Sequence, residues 1–160
     1  MPPVVSIVGK SQSGKTTFIE KLVPILKSRG HRVGVIKHAF HPFEMDTEGK
    51  DSWRHKAAGA DTVMVASRDR IAMVKDWNDY DLDDLLVFFQ DMDLVITEGF
   101  KRGSKPKIEI VRSARNHEPL CKGAPELLAI VSDIPLEAGV PRFELEAAEA
   151  VAGFLEERFL

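Results

Sequence analysis

The chain predicts a three-layer α/β/α fold around a mainly parallel sheet, with one additional edge hairpin, and three observations carry that prediction. Short runs that are apolar almost throughout alternate with amphipathic stretches along the 160 residues, the pattern of strands buried on both faces beneath covering helices. The first such pair is joined by Gly9-Lys10-Ser11-Gln12-Ser13-Gly14-Lys15-Thr16, a complete G-x-x-x-x-G-K-[ST] run in the strand–loop–helix setting of a phosphate-binding loop. Four polar residues, Ser67-Arg68-Asp69-Arg70, separate two β-rich runs, as in a hairpin. The fold class is therefore that of a P-loop NTPase, expected as a single nucleotide-binding domain over residues 1–160.

The elements follow in order. Val4 to Val8 is a buried strand entering the loop, and Thr16 to Ser28 is an amphipathic helix. Pro24 lies inside that helix and is expected to bend it, because proline cannot donate to the carbonyl four residues back. Arg29-Gly30 supplies the stop, with glycine suited to the left-handed position after a helix. Arg32 to Lys37 is the second strand, and residues 38–50 are a polar loop. Asp51 or Ser52 is placed to cap a short helix ending at Ala58-Gly59. Thr62 to Ala66 and Ile71 to Lys75 are the hairpin strands. Asp79 or Asp81 is placed to cap a helix with Leu82, Leu85, Leu86 and Phe89 on one face. Leu94 to Thr97, Lys107 to Val111 and Leu127 to Ser132 are three further strands. Lys101 to Pro106 and Ser113 to Pro125 are irregular, the first expected to be mobile, and a last amphipathic helix runs from about Glu146 to Arg158.

The loop sets the chemistry. Gly9 and Gly14 let successive backbone N–H groups of Lys10, Ser11, Gln12, Ser13, Lys15, Thr16 and Thr17 converge on one centre, where the following helix adds its positive dipole end. Lys15 reaches the β- and γ-phosphates and the Thr16 hydroxyl is placed to ligate Mg²⁺. A phosphate loop needs an acidic partner for the metal. In an open parallel sheet ligands gather at the carboxyl ends of strands, so Glu98, which closes Leu94 to Thr97, is the favoured metal-side or water-positioning carboxylate. Asp93 opens the same strand and reads as a turn residue at the opposite edge. Lys37 ends the second strand on the nucleotide edge, either neutralising phosphate or solvated. Asp46, in the following loop, is a second and weaker metal candidate. Asp133 follows the Leu127–Ser132 strand, either accepting from guanine N1–H and its exocyclic amine or serving as a turn residue before Ile134-Pro135. The Asn-Lys-x-Asp signature of many GTPases is absent.

Composition narrows the class. Charged residues at 29% and hydrophobic ones at 44% are ordinary for a globular protein. A net charge of −3 argues against nucleic-acid or anionic-membrane binding, which favour a basic face. Cys121 is alone, which excludes an intrachain disulfide and points to a reducing compartment. Met1-Pro2-Pro3 leads directly into the first strand without the basic and apolar regions of a signal peptide. The expected location is the cytoplasm.

Several segments taken together resemble the MobB family of molybdopterin-guanine dinucleotide biosynthesis adapters. They are residues 9–41, 46–67, 93–112 and 129–136, narrowed by Lys37-His38, Gly49-Lys50-Asp51-Ser52, Ala58-Gly59-Ala60 and Glu98-Gly99-Phe100-Lys101. The resemblance implies GTP binding with Mg²⁺, weak intrinsic GTP hydrolysis and homodimerisation. It also implies action with the guanylyltransferase that joins GMP to molybdopterin, with molybdopterin itself a further ligand. On this chain it assigns Gly9 to Thr17 to the phosphate loop, Glu98 to the acidic element and Asp46 to Ser52 to a polar segment near the nucleotide. Two other functions compete. A small-molecule kinase or ATP-dependent ligase would seat an acceptor in residues 38–52, with Lys37 or His38 assisting. A metallochaperone GTPase would use His38 and His41.

Overall fold

The computed structural model describes residues 1–160. They form two compact units, Met1–His38 with Leu82–Leu160, and Ala39–Asp81. The first unit holds a six-stranded parallel sheet of β1 (Val4–Val8), β2 (Val33–Lys37), β5 (Leu94–Glu98), β6 (Lys107–Val111), β7 (Leu127–Ser132) and β8 (Arg142–Phe143), in the order β2-β5-β1-β6-β7-β8. The central strands β1, β5, β6 and β7 alternate between two covered faces. Val5, Ile7, Leu94, Ile96, Ile108, Ile110, Ala129 and Val131 face one core with α1 (Lys15–Ser28) and α4 (Ala148–Phe159). On the other face Val4, Ile36 and Val95 meet Leu82 and Leu86, and Val8, Val111 and Ile130 meet Cys121 and Leu127. That is why the strands read as nearly continuous apolar runs: both faces are dry.

Parallel pairing brings every strand's carboxyl end to one edge, and β1 feeds α1 there through the glycine loop. Asp93 stands at the opposite end, accepting the Arg32 backbone N–H at 2.7 Å, so it fixes where β2 and β5 begin. The α1 helix continues through Pro24 to Ser28. Gly34 in β2 has no room for a side chain: a Cβ would lie 2.4 Å from the Phe89 ring.

The second unit contains α2 (Asp51–Ala57) and the antiparallel pair β3 (Thr62–Ala66) and β4 (Ile71–Lys75). The hairpin has the expected bounds and forms a two-stranded sheet of its own rather than lengthening the six-stranded one. Its strands are half-exposed, unlike the two-sided burial of the main sheet. Within this unit Lys56 pairs with Asp76 at 2.5 Å and with the Ala60 carbonyl at 2.8 Å.

Two local expectations are corrected. Lys50, without a side-chain bond, holds the N-cap of α2, and Asp51 sits one residue later, where its charge still favours the helix N-terminus. The helix expected over Leu82–Phe89 is a single α-turn, α3 (Leu82–Leu85), passing into a 3-10 turn at Leu86–Phe89; apolar residues three apart suit either geometry. Of the two capping candidates for that helix, Asp81 directly precedes α3, and Asp79, at φ +56°, stands in the turn before it. The β8 strand escaped the sequence pattern because only two residues pair.

Candidate functional site

The glycine loop closes on itself before α1 begins. Gly9 has φ +144°, and a Cβ there would stand 2.5 Å from the Ile110 carbonyl oxygen and 2.8 Å from Ser13 Oγ. Gly14 is the left-handed N-cap of α1, at φ +95°. Between them Gln12 takes φ +61° without being glycine, a strained setting of the kind that clusters at ligand clamps. The Ser13 N–H donates to the Lys10 carbonyl at 3.2 Å, and Ser11, Gln12, Thr16 and Thr17 are exposed around the rim. Lys15 Nζ donates to the carbonyls of Gly9 at 3.1 Å and Lys10 at 2.7 Å, which folds its ammonium over the loop. Burial lowers its pKa, Glu98 opposes that shift, and Lys37 and Lys101 add to it.

The sheet edge brings three predicted residues together. The Thr16 hydroxyl donates to Glu98 Oε1 at 2.9 Å. Lys37 Nζ lies 3.5 Å from the same oxygen, because Lys37 and Glu98 are register partners across β2 and β5. The Glu98 side chain is 14% exposed. Two adjacent oxygens of this kind suit Mg²⁺: cis ligands at 2.0–2.1 Å in an octahedron are about 2.9 Å apart. No group of three or more His, Cys, Asp or Glu is placed to hold an ion, so a cation here takes its remaining ligands from phosphate and water, as Mg²⁺ usually does. Gly99, at φ +104°, leaves room for His38: a Cβ would lie 3.1 Å from His38 Cβ, and the His38 ring packs on Phe100 at 4.8 Å.

Asp133 and Asp46 each have hydrogen-bond partners of their own. Both Asp133 oxygens hold Ser113, accepting its backbone N–H and its hydroxyl at 2.8 Å each. Those bonds, the backbone one first, keep its carboxyl below the usual range. Asp46 belongs to the second unit, where it accepts the Thr47 N–H at 2.8 Å.

Two arginines join the loop from β6. Arg115 donates to the Gln12 side-chain carbonyl, and the Arg112 guanidinium lies 4.0 Å from where a Cβ on Gly14 would be. Their segment is pinned from beneath by Glu109, fully buried in β6, whose carboxylate accepts the N–H groups of Leu120 at 2.6 Å and Cys121 at 2.8 Å. Sequence reasoning passed over Arg112, although it follows the carboxyl end of a strand as Glu98 closes one. Arg115 had no such signal, since a loop contact depends on how the 113–125 segment folds back.

Comparison with known proteins bears on this arrangement. The family described as molybdopterin guanine dinucleotide synthesis protein B matches residues 4–133. The molybdopterin-guanine dinucleotide biosynthesis adapter protein of Haemophilus influenzae is 40% identical over 157 residues, covering 96% of this chain and 88% of that protein. The adapter protein of the same description from Escherichia coli is 35% identical over 168 residues, covering 98% and 93%. A crystal structure of molybdopterin-guanine biosynthesis protein B superposes with a TM-score of 0.77 at 34% identity, covering 96% of this chain and 97% of the other.

Proposed function

Since the chain belongs to the MobB family, the adapter proteins of molybdopterin-guanine dinucleotide biosynthesis, we propose that it binds GTP with Mg²⁺ at residues 9–17 and acts with the guanylyltransferase that joins GMP to molybdopterin. The observation that carries the nucleotide reading is the Thr16–Glu98 contact of 2.9 Å at the first turn of α1. Thr16 and Glu98 would hold Mg²⁺, and the ion would neutralise charge developing between the outer phosphates. Lys15 would exchange its Gly9 and Lys10 carbonyls for phosphate oxygens. Lys37, beside Glu98, would balance the carboxylate on the terminal-phosphate side.

Hydrolysis by the chain alone is proposed to be weak. Arg115 is committed to Gln12, and an arginine that stabilises the transferring phosphoryl group contributes about three to five orders of magnitude. Homodimerisation is part of the same reading. Met64, Val65 and Ile71 of the β3–β4 hairpin are exposed, and an isolated two-stranded sheet gains stability from a further strand or covering face. No helix is long and apolar enough to cross a membrane, and cytoplasmic location is proposed from the lone cysteine and this biosynthetic role.

The test combines two measurements. Purified protein should turn over GTP far below about 10 s⁻¹ and should capture purified guanylyltransferase better with GTP than without nucleotide. Rapid unassisted turnover, or capture indifferent to nucleotide, overturns the adapter mechanism.

A further inference from the structure

We propose that the cavity between α1, the end of β6 and the segment leading into α4 is the nucleoside subsite, and that Lys21 and Glu146 select guanine there. The inference rests on the reading of residues 9–17 as a triphosphate loop and adds the base to it.

The direction of the ligand follows from the two sides of α1. Thr16 meets Glu98 on the β5 side, which marks the metal and hence the terminal phosphates. The nucleoside must leave on the other side, toward β6, β7 and β8 in the sheet order. There, Gly14, Thr17, Phe18 and Lys21 present one face of α1, at helical spacings of three, one and three, to a cavity of about 110 Å³. That is several times the volume one water requires. Phe18, Ile110 and Leu145 give it apolar walls, Arg112 stands on its phosphate side, and Lys21 with Glu146 closes its rim. Ser13 also lines it, and Ser13 Oγ is buried with no hydrogen-bond partner.

The rim has the polarity of one purine. Lys21 Nζ and Glu146 Oε2 lie 2.5 Å apart, a donor beside an acceptor. Guanine offers O6 to the ammonium and N1–H with its 2-amine to the carboxylate. Adenine offers its 6-amine to the ammonium and a bare N1 lone pair to the carboxylate, so both contacts become repulsive. Asp133, the other carboxylate at this edge, is engaged by Ser113 and does not line the cavity.

The test measures binding of fluorescent GTP, ATP and xanthosine triphosphate to the full chain and to three variants. Wild type should favour GTP over ATP by at least about tenfold, the worth of a hydrogen bond to a charged group. Glu146→Gln should invert the choice between GTP and xanthosine triphosphate, because its amide donates to the xanthine 2-oxygen while its carbonyl still accepts N1–H. Lys21→Met should weaken GTP without weakening ATP. Glu146→Gln binding with wild-type base ratios, or Asp133→Asn shifting the ratios in its place, overturns the subsite. A wild-type chain that binds no triphosphate overturns the parent reading and the subsite with it, and is distinguished by its equal indifference to all three nucleotides. Glu146 is exposed, so circular dichroism should show all variants folded.

Discussion

Replacing Glu98 by Gln separates the proposed metal role of this carboxylate from its structural one. The amide retains an oxygen for the Thr16 hydroxyl, so the 2.9 Å contact can persist. What is lost is the charge facing Lys37 at 3.5 Å, where Lys37 is 63% exposed. An ion pair with one such solvated partner contributes at most about 1 kcal/mol, so unfolding in urea should move by no more than that. Binding should respond differently with and without the cation. With Mg²⁺, loss of a charged ligand, or of a group orienting one, lowers metal-dependent affinity by about 10–100-fold. In EDTA the same substitution removes a negative charge from beside the triphosphate, so GTP affinity should hold or rise. The assay is equilibrium titration of a fluorescent GTP analogue in both buffers. Equal shifts in Mg²⁺ and in EDTA would refute the reasoning, as would a loss of stability above about 3 kcal/mol, which belongs to a buried charge left unpaired.

Lys15→Ala should abolish measurable triphosphate binding while leaving the urea midpoint near that of wild type, and retained affinity in the titration would remove the phosphate-loop assignment. Gly34→Ala places a methyl 2.4 Å from the Phe89 ring and should cost about 1–3 kcal/mol as an overpacked core, seen as a lower urea midpoint with an unchanged slope; an unaltered midpoint counts against the packing described. The Asp133 pKa is depressed by its Ser113 bonds, so its stabilisation is present above the unfolded value of about 3.9 and fades as pH falls through the lower folded value. Asp133→Asn should therefore flatten the acid limb of stability between about pH 5 and pH 2, and an unchanged limb would deny the clasp. Met64→Lys with Ile71→Lys should yield a monomer in sedimentation with GTP; a dimer unaffected by both charges would place the interface elsewhere.

How much of this was legible in the sequence depends on the range of the cause. Residues 9–16 carry their own geometry, because glycine positions and a following helix act within one turn of chain. Glu98 and Lys37 were placed by one rule, that ligands gather at the carboxyl ends of parallel strands, and they proved to be register partners. The same rule covered Arg112, which lay unused because it is followed by a segment without periodic pattern. Arg115 was beyond reach: its contact with Gln12 depends on the buried Glu109 holding Leu120 and Cys121, an interaction with no local signature. The 3-10 turn at Leu86–Phe89 was misread for a different reason, since a spacing of three does not distinguish two helix types.

The proposed slow hydrolysis would rest on the division of charge around α1. On the β5 side stand a carboxylate, a hydroxyl and lysines, groups that hold a cation and balance phosphate. On the β6 side stand the two arginines, one bound to Gln12 and one facing the cavity. Of these planar, always-charged side chains, best suited to a phosphoryl transition state, Arg115 is thus engaged in loop shape and Arg112 lines the cavity. Lys15, drawn to two loop carbonyls, would have to release both before it could serve phosphate. Under the proposed reading, an arrangement that holds a nucleotide at both ends while Arg115 is committed to Gln12 would keep its triphosphate long enough for a second protein to act on it. Catalytic speed would then belong to the complex, and the same residues that slow the chain alone would suit it to the adapter role.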